Sequence, residues 1–327
     1  MSSVCTRPAP VRPPAPTVAE FEAAFLAYGE ANRQKASTQY GRKQVLRKHI
    51  LPFLGTKHLD EITESDVQAI KARLKDKKPK TVNNVLATLS KMLRVAKRLR
   101  VITALPVETF ELLEVRSKPP TFYDFEEYER LVSAATALDD RILAVVLLAG
   151  DAGLRPGEIV GLYQTDVNLG SNRLRVERQS WLGIVDTPKT EAGIRDIPMT
   201  RRLADLLRRI RHLRGEALLV QDDGRPTTTK ALRGWLKRAQ RRAQLPVTGN
   251  LYTLRHTFCS HVAMRGQPPK VLAEPMGHES IAVTNRYMHL TPGAKEQAIR
   301  ALEEGPGNGA RMALAGTSRI SPEIPAS

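Results

Sequence analysis

The sequence predicts a mainly α-helical protein with a small antiparallel β-sheet, an α+β arrangement in two parts. Three observations lead there. Apolar residues recur at helical intervals through the first hundred residues, with no strand-like alternation. Three short β-branched runs separated by Gly-containing turns then fall between residues 173 and 199, and helical spacing returns beyond them. The length, 327 residues, suits two domains of ~100–200 residues each.

Residues 1–16 hold Pro8, Pro10, Pro13, Pro14 and Pro16 and few apolar side chains, so they read as a flexible leader. Thr17 and Glu20 have capping-box spacing ahead of Phe21, Phe25 and Tyr28, which share one helix face. A second helix is expected from Ser37 or Thr38 to Leu51, with Pro52 stopping it. Thr63 and Asp66 open a third, and Thr81 opens a fourth carrying Val85, Leu86, Leu89, Leu93 and Ala96. Residues 101–120, with Pro106, Pro119 and Pro120, lack periodicity and read as a connection. Further helices are expected at Asp124–Ala135 and Arg141–Gly150. The runs Arg173–Arg178, Ile184–Thr187 and Gly193–Met199 form one small sheet, followed by helices at Thr200–Arg214, Lys230–Gln244, Leu254–Arg265, Lys270–Gly277 and Lys295–Glu303. The Gly- and Pro-containing segment from 304 to 327 reads as a loose tail.

Composition narrows the function. There are 51 Lys+Arg against 34 Asp+Glu, a formal charge of +17, which favours a polyanionic partner. Between residues 71 and 100 the basic side chains Lys71, Arg73, Lys75, Lys77, Lys78, Lys80, Lys91, Arg94, Lys97, Arg98 and Arg100 face the single acid Asp76. Solvated helix faces ordinarily mix signs, so this block reads as a surface that tracks phosphates. No run approaches the ~18–20 unbroken apolar residues of a membrane span, and the N-terminus lacks a signal peptide's apolar core. Cys5 and Cys259 are too few for a disulfide framework. A cytoplasmic protein with a nucleic-acid partner and no membrane partner is the expectation.

Arg155 sits between Gly153 and Pro156 at the start of a helix whose inner face is Ile159, Val160 and Leu162. Free N–H groups and the helix dipole favour an anion there, and Glu158 is within reach to brace the guanidinium. Lys189 falls on the turn between two expected strands, where an ammonium could donate a proton. Arg255 follows Tyr252 near a helix N-terminus, and Leu254, Phe258 and Val262 form a buried stripe from which Arg255 points away. His278 ends the next helix, where Pro275 threatens the regular turn, and Tyr287 follows nine residues later. His256, His261, His278 and His289 do not have metal-ligand spacing, and neither a Walker-type loop nor a nucleophile elbow is present.

In this order, Gly-Leu-Arg155 with Glu158, Lys189, Leu-Arg255-His256-Thr-Phe258, Gly-His278 and Tyr287 followed by His289 resemble the catalytic domain of tyrosine recombinases, the phage-integrase and Xer-like site-specific recombinases. The resemblance implies a helical, SAM-like core-binding DNA-binding domain over 17–105, a linker over 106–118 and a mixed catalytic domain over 119–303. It also implies attack by Tyr287 on a DNA phosphodiester, a 3′-phosphotyrosyl link, an Arg155/Arg255 phosphate clamp, proton donation by Lys189, a further hydrogen bond from His278, and four protomers on two double-stranded DNA sites. No metal or nucleotide cofactor follows. One position departs from the pattern: Tyr252 stands where the family has histidine, with His256 immediately beyond Arg255. The alternative that this substitution raises is a weakened or inactive recombinase that serves as a DNA-binding or architectural protein.

Overall fold

The computed structural model describes residues 14–116, 119–186, 193–211, 215–277 and residue 287. The chain divides into two units, Met1–Lys118 and Pro119–Ser327.

The first unit is helical among its described residues. Thr17 and Glu20 close the expected capping box on α1 (Val18–Ala31), and Thr63 and Asp66 close another on α4 (Glu64–Arg73). Between them, α2 (Ala36–Val45) does not end at Pro52. It widens into a π-turn at Leu46–Ile50 and resumes as α3 (Leu51–Leu54), whose first turn holds the proline. A proline lacks the N–H for an i→i−4 bond and crowds the carbonyl of residue i−4, and the wider turn ahead of it relieves both. The fourth long helix, α5 (Pro79–Arg98), starts two residues before Thr81 because Pro79, with its φ already set, takes the first helical position. Phe25, Leu46, Ile50, Leu86, Leu89, Met92 and Leu93 form the core.

Both flanks of this unit differ from expectation. Ala15, assigned to the leader, is buried in the core, and the carbonyl of Pro16 accepts a hydrogen bond from Leu59 N–H. Part of the expected linker also packs here: Val107 is buried, and the Asn83 side chain bonds both backbone groups of Leu113 at 2.9 Å. Leu113 itself is exposed, so this pair of bonds ties the segment to α5 at the surface.

The second unit is organised around α7 (Asp140–Gly150), whose residues from Ile142 onward are all buried. A helix apolar all round must be central, and α6 (Phe125–Thr136), α8 (Pro156–Gly161), α9 (Arg201–Arg209), α10 (Thr229–Arg242) and α11 (Leu251–Met264) pack on it. The expected single sheet is two. Strands β1 (Val167–Asn168), β2 (Arg173–Val176) and β5 (Arg195–Pro198) form an antiparallel sheet in the order β1-β2-β5. The middle run instead forms β4 (Ile184–Asp186), paired with β3 (Gln179–Trp181) in a separate hairpin whose turn residues Leu182 and Gly183 both have positive φ. In the larger sheet Leu174 opposes Ile197 and Val176 opposes Arg195, and all four side chains face inward. Alternation therefore carries one arginine into the interior. The last described helix is α12 (Pro269–Met276). Pro275 does not break it; the helix closes at Gly277, whose left-handed conformation (φ 57°) suits a C-terminal cap.

Candidate active site

Arg155 is the N-cap residue of α8, and Glu158 is its N3 residue. The carboxylate accepts from the Arg155 backbone N–H at 2.7 Å and from its Nη1 at 2.7 Å. The turn before it requires Gly153: φ is +67°, and a Cβ there would lie 2.8 Å from Met276 Sδ and from the Phe258 ring. This is the local arrangement that the Gly-Leu-Arg-Pro-Gly-Glu spacing predicts.

Glu158, only 2% exposed, has a second partner that the sequence reading missed. Arg195 donates from Nη1 and Nη2 to its two oxygens at 3.1 and 3.0 Å, and from Nη1 to the carbonyl of Gly193 at 3.0 Å. Arg255 comes within 4.0 Å of the same carboxylate. Its position corrects the expectation that it points away from the buried stripe: it is 4% exposed, because α11 packs against both α7 and α12 and has little solvent-facing surface at that point. Phe258 and Val262, expected to be buried, are only partly so.

Three guanidinium groups thus surround one carboxylate. Each also donates to one of three successive carbonyls at the C-terminal end of α12: Arg195 Nε to Pro275 at 2.6 Å, Arg255 Nη2 to Met276 at 2.6 Å, and Arg155 Nη2 to Gly277 at 2.9 Å. The last carbonyls of a helix have no partner within it and carry the negative end of its dipole. Arg255 Nη1 also donates to the carbonyl of Gly153. Burial works to raise the Glu158 pKa, but the hydrogen bonds and charge of Arg195, with the charges of Arg155 and Arg255, outweigh it and hold the carboxyl below the usual range. Burial, reinforced by the charge of Arg155, pushes the Arg255 guanidinium down to about 10. One carboxylate does not balance three arginines, so the cluster keeps a surplus of positive charge suited to a further anion.

Tyr287 is 3% exposed and packs with Cys259, Ala263 and Met276. Its Oη lies 2.5 Å from His256 Nδ1. Burial raises the Cys259 thiol to about 12, with Arg255 and a hydrogen bond to Tyr287 acting the other way. Tyr252 is 48% exposed, near the start of α11. Lys189, His278, His289 and the expected helix at Lys295–Glu303 lie outside the described residues.

In the helical unit, the basic block is mostly exposed. Lys75, Lys77, Lys78, Lys80, Arg94 and Lys97 are open to solvent, and Lys91 is partly covered. Arg73 stacks on Phe53, 3.5 Å from the ring centroid, and Arg98 donates to Tyr28 Oη at 3.0 Å. Lys71 is the exception: its side chain is largely covered and pairs with Glu111 at 3.7 Å. Among the described residues no group of three or more His, Cys, Asp or Glu could hold a metal ion, and no helix is long and apolar enough to cross a membrane.

A helical unit followed by a helix-rich unit with two small antiparallel sheets, and arginines gathered about one carboxylate beside a buried tyrosine, describe the tyrosine recombinase class. The family model "Phage integrase family" matches residues 121–293 and "Phage integrase, N-terminal SAM-like domain" matches residues 17–74. The chain belongs to the phage integrase family. A tyrosine recombinase of Thermosipho africanus is 25% identical over 87% of this chain and 99% of its own length. The ICEBs1 integrase of Bacillus subtilis is 24% identical over 86% of this chain and 81% of its own. The Tn1549 transposon integrase in complex with transposon right-end DNA superposes with a TM-score of 0.74 at 25% identity, over 88% of this chain and 100% of that one. A lambda integrase tetramer bound to a Holliday junction shares the fold, at 19% identity and a TM-score of 0.64 over 81% of this chain and 78% of that one. Site-specific recombination is the activity these likenesses support, and they do not favour the binding-only alternative.

Proposed function

We propose that the chain cuts and rejoins double-stranded DNA at specific sites through a 3′-phosphotyrosyl intermediate. The observation that carries this reading is the convergence of Arg155 and Arg255, a hundred residues apart in sequence, on one buried carboxylate with positive charge to spare. A phenol is a weak nucleophile near neutral pH, so its attack on phosphorus depends on cations fixed where negative charge develops. Tyr287 is the nucleophile. Arg155 and Arg255 hold the non-bridging oxygens, which compete for guanidinium N–H groups now engaged with the Gly277 and Met276 carbonyls. Lys189 protonates the departing 5′ oxygen and His278 adds a hydrogen bond to the phosphate. Since the link to Tyr287 remains a phosphodiester, a 5′-hydroxyl from another strand can reverse the step without an external energy source.

The exposed basic block of the helical unit grips the DNA backbone, and the protein works in the cytoplasm, where its substrate is the chromosome or a mobile element. Exchanging two duplexes breaks four strands, and one tyrosine per chain then calls for four protomers. Residues 294–303 are the docking segment between them. Deleting residues 294–327 is expected to reduce assembly on paired sites, read by native gel or light scattering, while single-site binding persists; unchanged assembly rules out that docking role. The central test is a DNA duplex nicked beside the scissile phosphate, which traps a covalent protein–DNA adduct. Tyr287→Phe is expected to abolish it, and a wild-type protein that binds its site yet forms no adduct overturns the reading.

A further inference from the structure

We infer that His256 is a catalytic residue, the group that takes the proton from the Tyr287 hydroxyl as it attacks. This rests on the proposed role of Tyr287 as nucleophile. The geometry is direct: Tyr287 Oη and His256 Nδ1 lie 2.5 Å apart, with the two ring centroids 6.0 Å apart. Tyr287 is almost wholly buried, so bulk water has little access to its hydroxyl.

The chemistry of the neighbours singles out the imidazole. Cys259 also hydrogen-bonds Tyr287, but burial holds its thiol protonated, with a pKa raised to about 12, so it has no lone pair of useful basicity. The Arg255 guanidinium stays charged near neutral pH even with its pKa lowered to about 10. Tyr252, on the same face of α11 one turn earlier, is half exposed, and a second phenol cannot deprotonate the first near neutral pH. Among these neighbours, imidazole is the side-chain type suited to exchanging a proton near neutral pH.

The step balances. The Oη–H bond breaks, its proton goes to Nδ1, and an Oη electron pair forms the bond to phosphorus. The pair of the P–O5′ bond leaves on O5′, which is protonated by Lys189 in the reaction proposed above. His256 is then an imidazolium, and it returns the proton to Oη when a 5′-hydroxyl displaces the tyrosine. The positive charge it gains lies beside a phosphodiester that carries a negative one.

The test uses the full chain and the nicked duplex, with the single-turnover rate of adduct formation as readout. His256→Asn leaves a hydrogen-bond acceptor in place of Nδ1 but no base; His256→Ala leaves space for a small base. Both are expected to slow adduct formation about 100-fold, within the range for loss of a general base, with DNA affinity and the unfolding transition little changed. Added imidazole is expected to restore the rate of His256→Ala and to leave His256→Asn and the wild type unaffected. A His256→Asn protein that reacts at the wild-type rate overturns the inference, because an acceptor alone then suffices. So does a slow His256→Ala protein that imidazole does not accelerate. Tyr287→Phe in the same assay separates the two levels: an adduct that survives it removes the nucleophile assignment, whereas its loss beside a fast His256→Asn removes only the role of His256.

Discussion

Arginine and lysine do two different jobs in this chain. In the helical unit Lys75, Lys77, Lys78, Lys80, Arg94 and Lys97 stand in solvent, whereas in the other unit Arg155, Arg195 and Arg255 share a buried carboxylate and three backbone carbonyls. The exposed charges are screened by salt within about 10 Å and act nearly independently of one another. Arg195 and Arg255 are out of water, Arg155 keeps about a third of its side chain exposed, and each is fixed by partners whose removal the others feel. A surface arginine can therefore change with little consequence for the fold. In the cluster, placement and charge are a single property.

The most severe way to break that contrast is to remove the carboxylate. Glu158→Leu would leave three guanidiniums facing one another with only carbonyls for company, and breaking a buried pair in this manner costs roughly 3–5 kcal/mol. Chemical denaturation should show a loss in that range, larger than for any single exposed lysine. Glu158→Gln keeps the shape and several hydrogen bonds, so a smaller loss is expected, and it isolates the charge. Because the folded-state pKa of Glu158 lies below its unfolded value, its contribution is present above the unfolded pKa of ~4.3 and lost as pH falls below it. The wild type should therefore lose stability on acidification below about pH 5 more steeply than Glu158→Gln. Parallel acid limbs in the two proteins would mean that Glu158 is not the group the arginines hold ionised.

This comparison also shows what could be seen in the sequence. Arg155 and Glu158 were legible because their relation is local: three residues apart at a helix start, with Gly153 and Pro156 fixing the turn. The basic block was legible because it is a count of charges, although the pairing of Lys71 with Glu111 depends on where a later segment runs. Arg195 does carry a sequence signal, since it shares strand parity with Ile197 and Met199 and so belongs to the inward face. A charged residue in an alternating strand is ordinarily assigned to solvent, and only the approach of Glu158 and the end of α12 makes the inward position tolerable. The burial of Arg255 is hidden from the sequence for a related reason. Helix periodicity finds an apolar stripe, but it cannot register that α7 and α12 cover two sides of α11. The proximity of His256 to Tyr287 joins residues 31 apart, and no local pattern encodes it.

The gentlest test lies on the exposed side of the contrast. Lys78 and Lys80 flank the start of α5, where both side chains are open to solvent. If they contact DNA phosphates, each releases condensed counterions on binding, and replacing both with alanine should reduce the slope of log affinity against log salt by about 2. The loss of affinity should be similar for specific and random DNA, because phosphate contacts carry no sequence information. Stability should move by less than about 0.5 kcal/mol, as for surface substitutions away from caps and cores. A reduced affinity with an unchanged salt slope would place these lysines away from the phosphates and would leave other exposed members of the block, Lys75, Lys77, Arg94 and Lys97, as the surface to examine. An unfolding shift as large as that of Glu158→Gln would erase the distinction itself, since charges that stand in water have no buried partner to leave behind.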